Sequence, residues 1–244
     1  MDLTDWRFKL YSQFWKTIDN IFPPVCIGCG KADESFCVEC KQEISKITYT
    51  NNRSKRGKQV SKSRGNYSIE EDIFFTARAY SYHEGVMKEA VHRLKYESDL
   101  GLGKILAKEL TQIVEENNWK ADVVVPIPLG KKRKKERGYN QAEVIGFPLA
   151  YYLNIDFDPK MIRRCKETRT QIGLSVKERF ENVHQAFVVE NGRAIGKSIL
   201  LVDDVYTSGA TMMSAADSLK DAGAKSVYSL TVTRANDFSD QEIW

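Results

Sequence analysis

The sequence predicts an α/β protein, a mainly parallel sheet flanked by helices, with a small four-cysteine module ahead of it. Three observations predict this. Ile199 to Val202 is an apolar run of the kind that fills a buried parallel strand, and Val227 to Val232 is another, with the helical stretch Met212 to Ala222 between them and Gly223 as its stop signal. Val123 to Ile127 repeats the buried-strand pattern and again leads into a helix, from about Asn140 to Tyr152. Two Cys-x2-Cys pairs, Cys26/Cys29 and Cys37/Cys40, lie close together near the start.

At 244 residues and 42% hydrophobic content the chain can bury a real core, as one large domain or a medium one with an appendage. No apolar run approaches the roughly 20 residues of a membrane span. The first turn, with its Asp, Lys and Trp, does not resemble a signal peptide, so cytoplasm is the expected compartment. The net charge of +4 is local: residues 51–68 hold six basic and no acidic side chains, and 131–137 hold six basic and one acidic, leaving −7 elsewhere. Such patches suit phosphorylated ligands or nucleic acid, or are solvated surface; for 51–68 solvated surface is the preferred reading.

Taken in order, Trp6, Leu10, Phe14 and Ile18 fall four apart, with Tyr11, Trp15 and Ile21 near the same side, an amphipathic helix closed by Pro23-Pro24. It is expected to pack on its own domain; docking to a partner is the sharper alternative. Cys26, Cys29, Cys37 and Cys40 then offer four thiolates for a closed, structural tetrahedral zinc site. Disulfides compete, but nothing suggests secretion. Cys165 stands alone and is expected to be semi-buried and structural. Residues 48–68, polar and basic, read as a linker between a module at 1–47 and the main domain at 69–244. Ile73 to Tyr82 reads as a strand, and Gly85 to Lys95 and Lys104 to Glu116 as helices separated by Ser98–Gly103. Lys95 and Tyr96 end the first of these, where a substrate contact is a secondary expectation. His83, His92 and His184 lack ligand-spaced companions and read as structural or surface.

Two segments carry chemistry. After Ile199–Val202 come Asp203 and Asp204, expected to end the strand, then the small-residue turn Thr207-Ser-Gly-Ala-Thr211 opening the next helix. A helix N-terminus offers unpaired N–H groups and about half a positive charge, a ready site for phosphate. Gly209 and Ala210 allow close backbone approach, and Thr207, Ser208 and Thr211 add hydroxyls. The acidic pair would repel a phosphate; it suits a sugar diol or a divalent cation. Together they describe a ribose 5-phosphate site. No Gly-x4-Gly-Lys-Ser/Thr phosphate loop is present. The second segment, Gly130 to Glu143, is read as a basic loop at the carboxyl end of a strand, where open α/β sheets place ligands. Its charge matches a diphosphate, and Arg137, Gly138, Asn140 and Gln141 are the expected contacts. Arg163 to Gln171 is a further basic stretch able to close over a polyphosphate, braced by Arg179 and Asn182.

The stretch Val202-Asp-Asp-Val-Tyr-Thr-Ser-Gly-Ala-Thr211 resembles the phosphoribosyl-diphosphate (PRPP) signature of type I phosphoribosyltransferases. That resemblance implies that Asp203 and Asp204 take the ribose hydroxyls and Thr207 through Thr211 the 5-phosphate. With the four cysteines, Val125-Pro-Ile-Pro128, Arg137-Gly-Tyr-Asn-Gln141, Thr168-Arg-Thr-Gln171 and Arg179-Phe-Glu-Asn-Val183, the chain from about 22 to 235 is similar to the ComF family of competence proteins, related to phosphoribosyltransferases. The family implies a role in natural transformation, downstream of DNA uptake, beside a helicase-like partner. The expected activity is a Mg²⁺-dependent phosphoribosyltransferase of unread acceptor, with Asp203, Asp204, Arg137 and Arg169 as its central residues. The competing reading is a non-catalytic factor that keeps the ribose-phosphate pocket and uses its basic runs on single-stranded DNA.

Overall fold

The computed structural model describes residues 9–11, 13, 14, 17, 20, 23–32, 34, 36–44, 46, 47, 75–165 and 186–235. Its centre is a five-stranded sheet of β1 (Phe75–Tyr82), β2 (Val123–Pro126), β3 (Asp156–Phe157), β6 (Ser198–Tyr206) and β7 (Ser226–Arg234). The order is β1-β7-β6-β2-β3, and every pairing is parallel. A separate antiparallel pair, β4 (Ile162–Arg164) and β5 (Phe187–Val189), stands beside it.

Strand β6 explains its own composition. Ile199 and Leu201 enter the core under α6 (Ala210–Asp221) and the β4–β5 pair. Leu200 and Val202 enter the core with α2 (Gly85–Tyr96), α3 (Gly101–Glu116) and α5 (Gln141–Leu153). Both faces of the strand are dry, so an unbroken apolar run replaces the alternation of a half-exposed strand.

Several expectations are corrected. The strand does not stop at the acidic pair: β6 runs on to Tyr206, with Asp203, Val205 and Tyr206 registered against Thr231, Thr233 and Arg234 of β7. A parallel neighbour of equal length supplies the ladder bonds that keep these residues extended. The glycines at 101 and 103 belong to the first turn of α3 rather than to a loop. Gly103 is required there because a Cβ would run into the Val144 carbonyl of α5. The basic segment is itself a two-turn helix, α4 (Lys131–Arg137), closed by Gly138 at φ 79°. Cys165 is exposed.

Ahead of the sheet, α1 (Val38–Gln42) carries Cys40, and the Ile27 and Ile44 side chains join the core of α2 and α3. Lys46 bridges to Ser81, and the Ile47 amide donates to the Tyr80 carbonyl at 3.2 Å, so residues 46 and 47 lie along β1. Of the leading helix, Lys9, Leu10, Tyr11, Gln13, Phe14, Thr17 and Asn20 are described and helical. Tyr11 meets the rings of Phe147 at 5.1 Å and Tyr151 at 6.2 Å, while Leu10 and Phe14 are exposed. The expected packing on its own domain is therefore made through Tyr11. Residues 48–68, expected to form a linker, and the region 166–185, with Arg169, Thr168, Thr170, Gln171, Arg179, Asn182 and His184, lie outside the described residues. No described helix is long and apolar enough to cross a membrane.

Candidate functional site

Strands β2 and β6 are neighbours, yet the chain leaves them in opposite directions, β2 toward β3 and β6 toward β7. Such a switch point opens a crevice outside the carboxyl ends of the strands. A cavity of about 340 Å³ lies there, walled by Ile127–Leu129 after β2 and by Asp203–Thr207, Gly209, Thr211 and Met212 at the end of β6. Arg133 and Arg137 reach it from α4, Lys95 and Tyr96 from the end of α2, Gln141 from the start of α5 and Arg164 from β4.

The acidic pair sits on the floor. The Asp204 amide donates to Asp203 Oδ1 at 2.9 Å, and Lys95 Nζ lies 2.9 Å from Asp204 Oδ1. Burial, then the neighbouring Asp204 carboxylate, pushes the Asp203 carboxyl up to about 7; Lys95 and Arg164 pull against that rise. His83, at the end of β1, accepts or donates at 2.9 Å with Thr233 Oγ1. Burial, then Lys95 and Lys88, hold it below its ordinary value, so it stays neutral near pH 7.

The turn divides its residues between the cavity and the interior. Gly209, at φ 74°, is the N-cap of α6, and no side-chain cap bond closes the start of the helix. Thr207, Gly209 and Thr211 line the cavity; Ser208 and Ala210 are buried behind it. Ser208 Oγ has no hydrogen-bond partner among the described residues. Tyr206 folds beneath the turn, where a side chain on Gly209 would strike its hydroxyl and ring.

On the opposite wall, Arg137 donates to Gln141 Oε1 at 2.9 Å, and its guanidinium lies 5.2 Å from the Tyr96 ring centre. Gln141 is buried, and its Nε2 lacks a partner among the described residues. Buried polar atoms without partners are rare in native proteins; Gln141 Nε2 belongs to the cavity wall and Ser208 Oγ to the turn behind it. Asn140 also lines the cavity, but its side chain is spent elsewhere: Nδ2 donates to the Ile127 carbonyl at 2.9 Å and Oδ1 caps the Ala142 amide at 3.1 Å. Gly138 does not touch the cavity; its left-handed backbone turns the chain from α4 into α5. Arg133 and Lys95 are the residues that sequence reasoning undervalued. A helical reading of 131–137 would have put Arg133 and Arg137 on one face, four apart. No local signal announces that Lys95 faces Asp204. A second hollow, of about 490 Å³, adjoins across Pro128 and Leu129. Its cations are largely neutralised, Arg163 by Glu190 at 3.0 Å and Arg193 by Asp158 at 2.7 Å.

The four cysteine sulfurs lie within 4.8 Å of one another, and Cys29 Sγ is 3.6 Å from Cys37 Sγ. A tetrahedral ion with Zn–S bonds of about 2.3 Å wants sulfurs about 3.8 Å apart, so the set fits. Burial opposes ionisation of Cys26, but the amides of Cys37, Cys29 and Gly28 outweigh it and bring its thiol down to about 6. A knuckle with amides aimed at sulfur is prepared for a thiolate ligand.

With this geometry in view, similarity to known proteins becomes informative. The phosphoribosyl transferase domain model matches residues 157–239. Over 221 residues the chain is 30% identical to competence protein ComFC of Bacillus subtilis, covering 84% of this chain and 86% of that one. The chain belongs to the ComF family. Another relative, competence protein F of Haemophilus influenzae, is 26% identical over 227 residues, 88% of this chain and 99% of that one. Among solved structures, adenine phosphoribosyltransferase from Saccharomyces cerevisiae matches 57% of this chain and 70% of its own at 18% identity and a TM-score of 0.39. This ComF protein is thus a ComFC-like relative of the phosphoribosyltransferases, with their parallel sheet and a four-cysteine cluster near its start.

Proposed function

We propose that this ComF protein binds PRPP with Mg²⁺ in the cavity at the ends of β2 and β6, and acts as a phosphoribosyltransferase in DNA uptake and natural transformation. The observation that carries this reading is the meeting, in one cavity, of an acidic pair, a helix N-terminus without a side-chain cap and four cations, Lys95, Arg133, Arg137 and Arg164. A diol, a phosphoester and a diphosphate are the three parts of PRPP, and each has its complement. The ribose hydroxyls face Asp203 and Asp204. The 5-phosphate takes the amides of the Thr207–Thr211 turn, with the Thr207 and Thr211 hydroxyls at hand. The diphosphate lies against Arg137 and Gln141, and Arg169 is expected to join them. Magnesium, when bound, neutralises the diphosphate and aids its departure.

Displacement at C1 breaks the bond to the diphosphate oxygen, which keeps the electron pair, and forms a bond from C1 to the acceptor atom. Positive charge develops on the ribose ring in passing, as in other glycosyl transfers. The chain's work is to stabilise the departing anion and exclude water, and no nucleophilic side chain is needed. Calorimetric titration of PRPP and Mg²⁺ into wild type and Asp203→Asn/Asp204→Asn tests the site. Affinity should fall at least about tenfold in the variant; equal affinity overturns the reading.

One observation favours a non-catalytic role on single-stranded DNA. Arg133, Lys134 and Arg137 of α4 line the two hollows, and Lys132 and Lys135 stand exposed beside them. Neutralising those two lysines should flatten the salt dependence of DNA binding if they meet phosphates. The four cysteines are proposed to hold one structural zinc. Metal analysis should find one zinc per chain, and Cys26→Ser should lose it. A helicase-like competence protein as partner, and the cytoplasm as the place of action, follow from the same reading.

A further inference from the structure

We propose that Lys95 is a ligand-positioning residue: it occupies Asp204 in the free protein and passes to the diphosphate when the ribose hydroxyls displace it. This inference rests on the PRPP reading and says how the same cavity selects its ligand.

The geometry of the pair motivates it. Lys95 Nζ is 2.9 Å from Asp204 Oδ1, with the side chains only 19% and 11% exposed, and both residues line the cavity. The lysine backbone is held firmly. The Tyr139 hydroxyl donates to the Leu94 carbonyl one residue earlier, and the Glu97 amide closes the helix on the Arg93 carbonyl at 2.9 Å. The side chain beyond that fixed point is a flexible four-carbon stem ending in a point charge. Its charge can therefore swing between partners, in contrast to that of Arg137, which Gln141 and Tyr96 restrain.

The consequence follows from pairing. A sugar hydroxyl donates to a carboxylate, so a bound diol competes with the ammonium for Asp204. An ammonium left in this cavity without a partner is costly. A ligand that brings an anion beside its diol repairs the loss, because the ammonium exchanges one anionic partner for another. PRPP carries such an anion at C1, and ribose 5-phosphate does not. Lys95 thereby penalises the ligand without diphosphate and rewards the complete one.

The test measures two ligands on the full, metal-loaded chain: PRPP with Mg²⁺, and ribose 5-phosphate, by calorimetry on wild type, Lys95→Met and Lys95→Arg, with circular dichroism to confirm folding. Wild type should prefer PRPP. In Lys95→Met, PRPP affinity should fall about tenfold or more while ribose 5-phosphate binds as well as before or better, and Lys95→Arg should restore the preference. A merely structural lysine would weaken both ligands alike, and that result, or an unchanged preference, overturns the role of Lys95 while leaving the PRPP reading standing. Wild type that binds neither ligand overturns both. Should Lys95→Met fail to fold, Lys95→Gln is measured in its place, with the same outcomes expected.

Discussion

The Gly103 Cα lies against the Val144 carbonyl, the oxygen whose helical donor would be residue 148, a proline without an N–H. Helix α3 therefore meets α5 at a notch where one chain has no side chain and the other has no amide to offer. The notch seats α5, whose first turn carries Asn140 and Gln141 into the cavity. A methyl group at 103 must push the helices apart. Gly103→Ala should cost about 1–3 kcal/mol, read as a lower urea midpoint at unchanged slope.

Glu109 ties the cysteine module to the main core. Its buried carboxylate accepts from the Lys41 ammonium at 2.5 Å and from the Tyr80 hydroxyl at 2.8 Å. Glu109→Ala strands the buried Tyr80 hydroxyl and removes the anchor of α1. It should destabilise the protein by about 1–3 kcal/mol, and Glu109→Gln, which keeps an acceptor for Tyr80, by clearly less. Equal losses in the two variants would show that the charge, rather than the acceptor, is what Tyr80 needs.

Asp203 sets a pH dependence whose sign is the reverse of the usual carboxylate. Its ordinary value of 3.8 is raised to about 7 by burial and by Asp204. Between those values the folded protein holds a proton that the unfolded chain has released, so stability falls as pH rises from about 4 to about 7 and is level above that. Asp203→Asn removes this decline, and thermal melts of the two proteins should diverge from pH 5 to pH 8, the variant gaining. Ligand binding runs the other way. An ionised carboxylate accepts from ribose hydroxyls more strongly than a protonated one, so PRPP affinity of wild type should climb through pH 7 and then level.

Gly209 and Tyr206 are coupled. Gly209 holds φ 74°, and a Cβ there would come within 2.6 Å of Tyr206 Cζ. Gly209→Ala combines backbone strain of about 1 kcal/mol with that collision, and should both destabilise the fold and weaken phosphate binding. In a Tyr206→Leu background the collision is relieved and only the strain remains. A double-mutant cycle should return a coupling of about 0.5–3 kcal/mol; additive losses would mean that Tyr206 does not support the turn.

How much of this was legible beforehand depended on whether a feature is written in neighbouring residues. The Ile199–Val202 run, the Thr207–Thr211 turn and the α6 helix were readable because each is a local pattern of period or composition. The strand's continuation through Asp203 and Asp204 was hidden, since propensity counts two aspartates against a strand, whereas the β7 ladder and Lys95 count only in three dimensions. The helical state of 131–137 was masked for a similar reason. Six like charges read as a solvated loop, while Gly130 and Gly138 bound a helix that turns Arg133 and Arg137 to one side.

Periodicity, cysteine spacing and turn chemistry were enough, from the chain alone, to give the α/β class, a four-thiol cluster and a small-residue turn beside two carboxylates. Those properties belong to short stretches whose physics is local. Which cations face those carboxylates, which polar atoms are left unsatisfied, and how the cysteine module is fastened to the core were settled only by folding. Lys95 and Asp204 are more than a hundred residues apart in sequence, and packing of α2 against the central sheet is what brings their charges together.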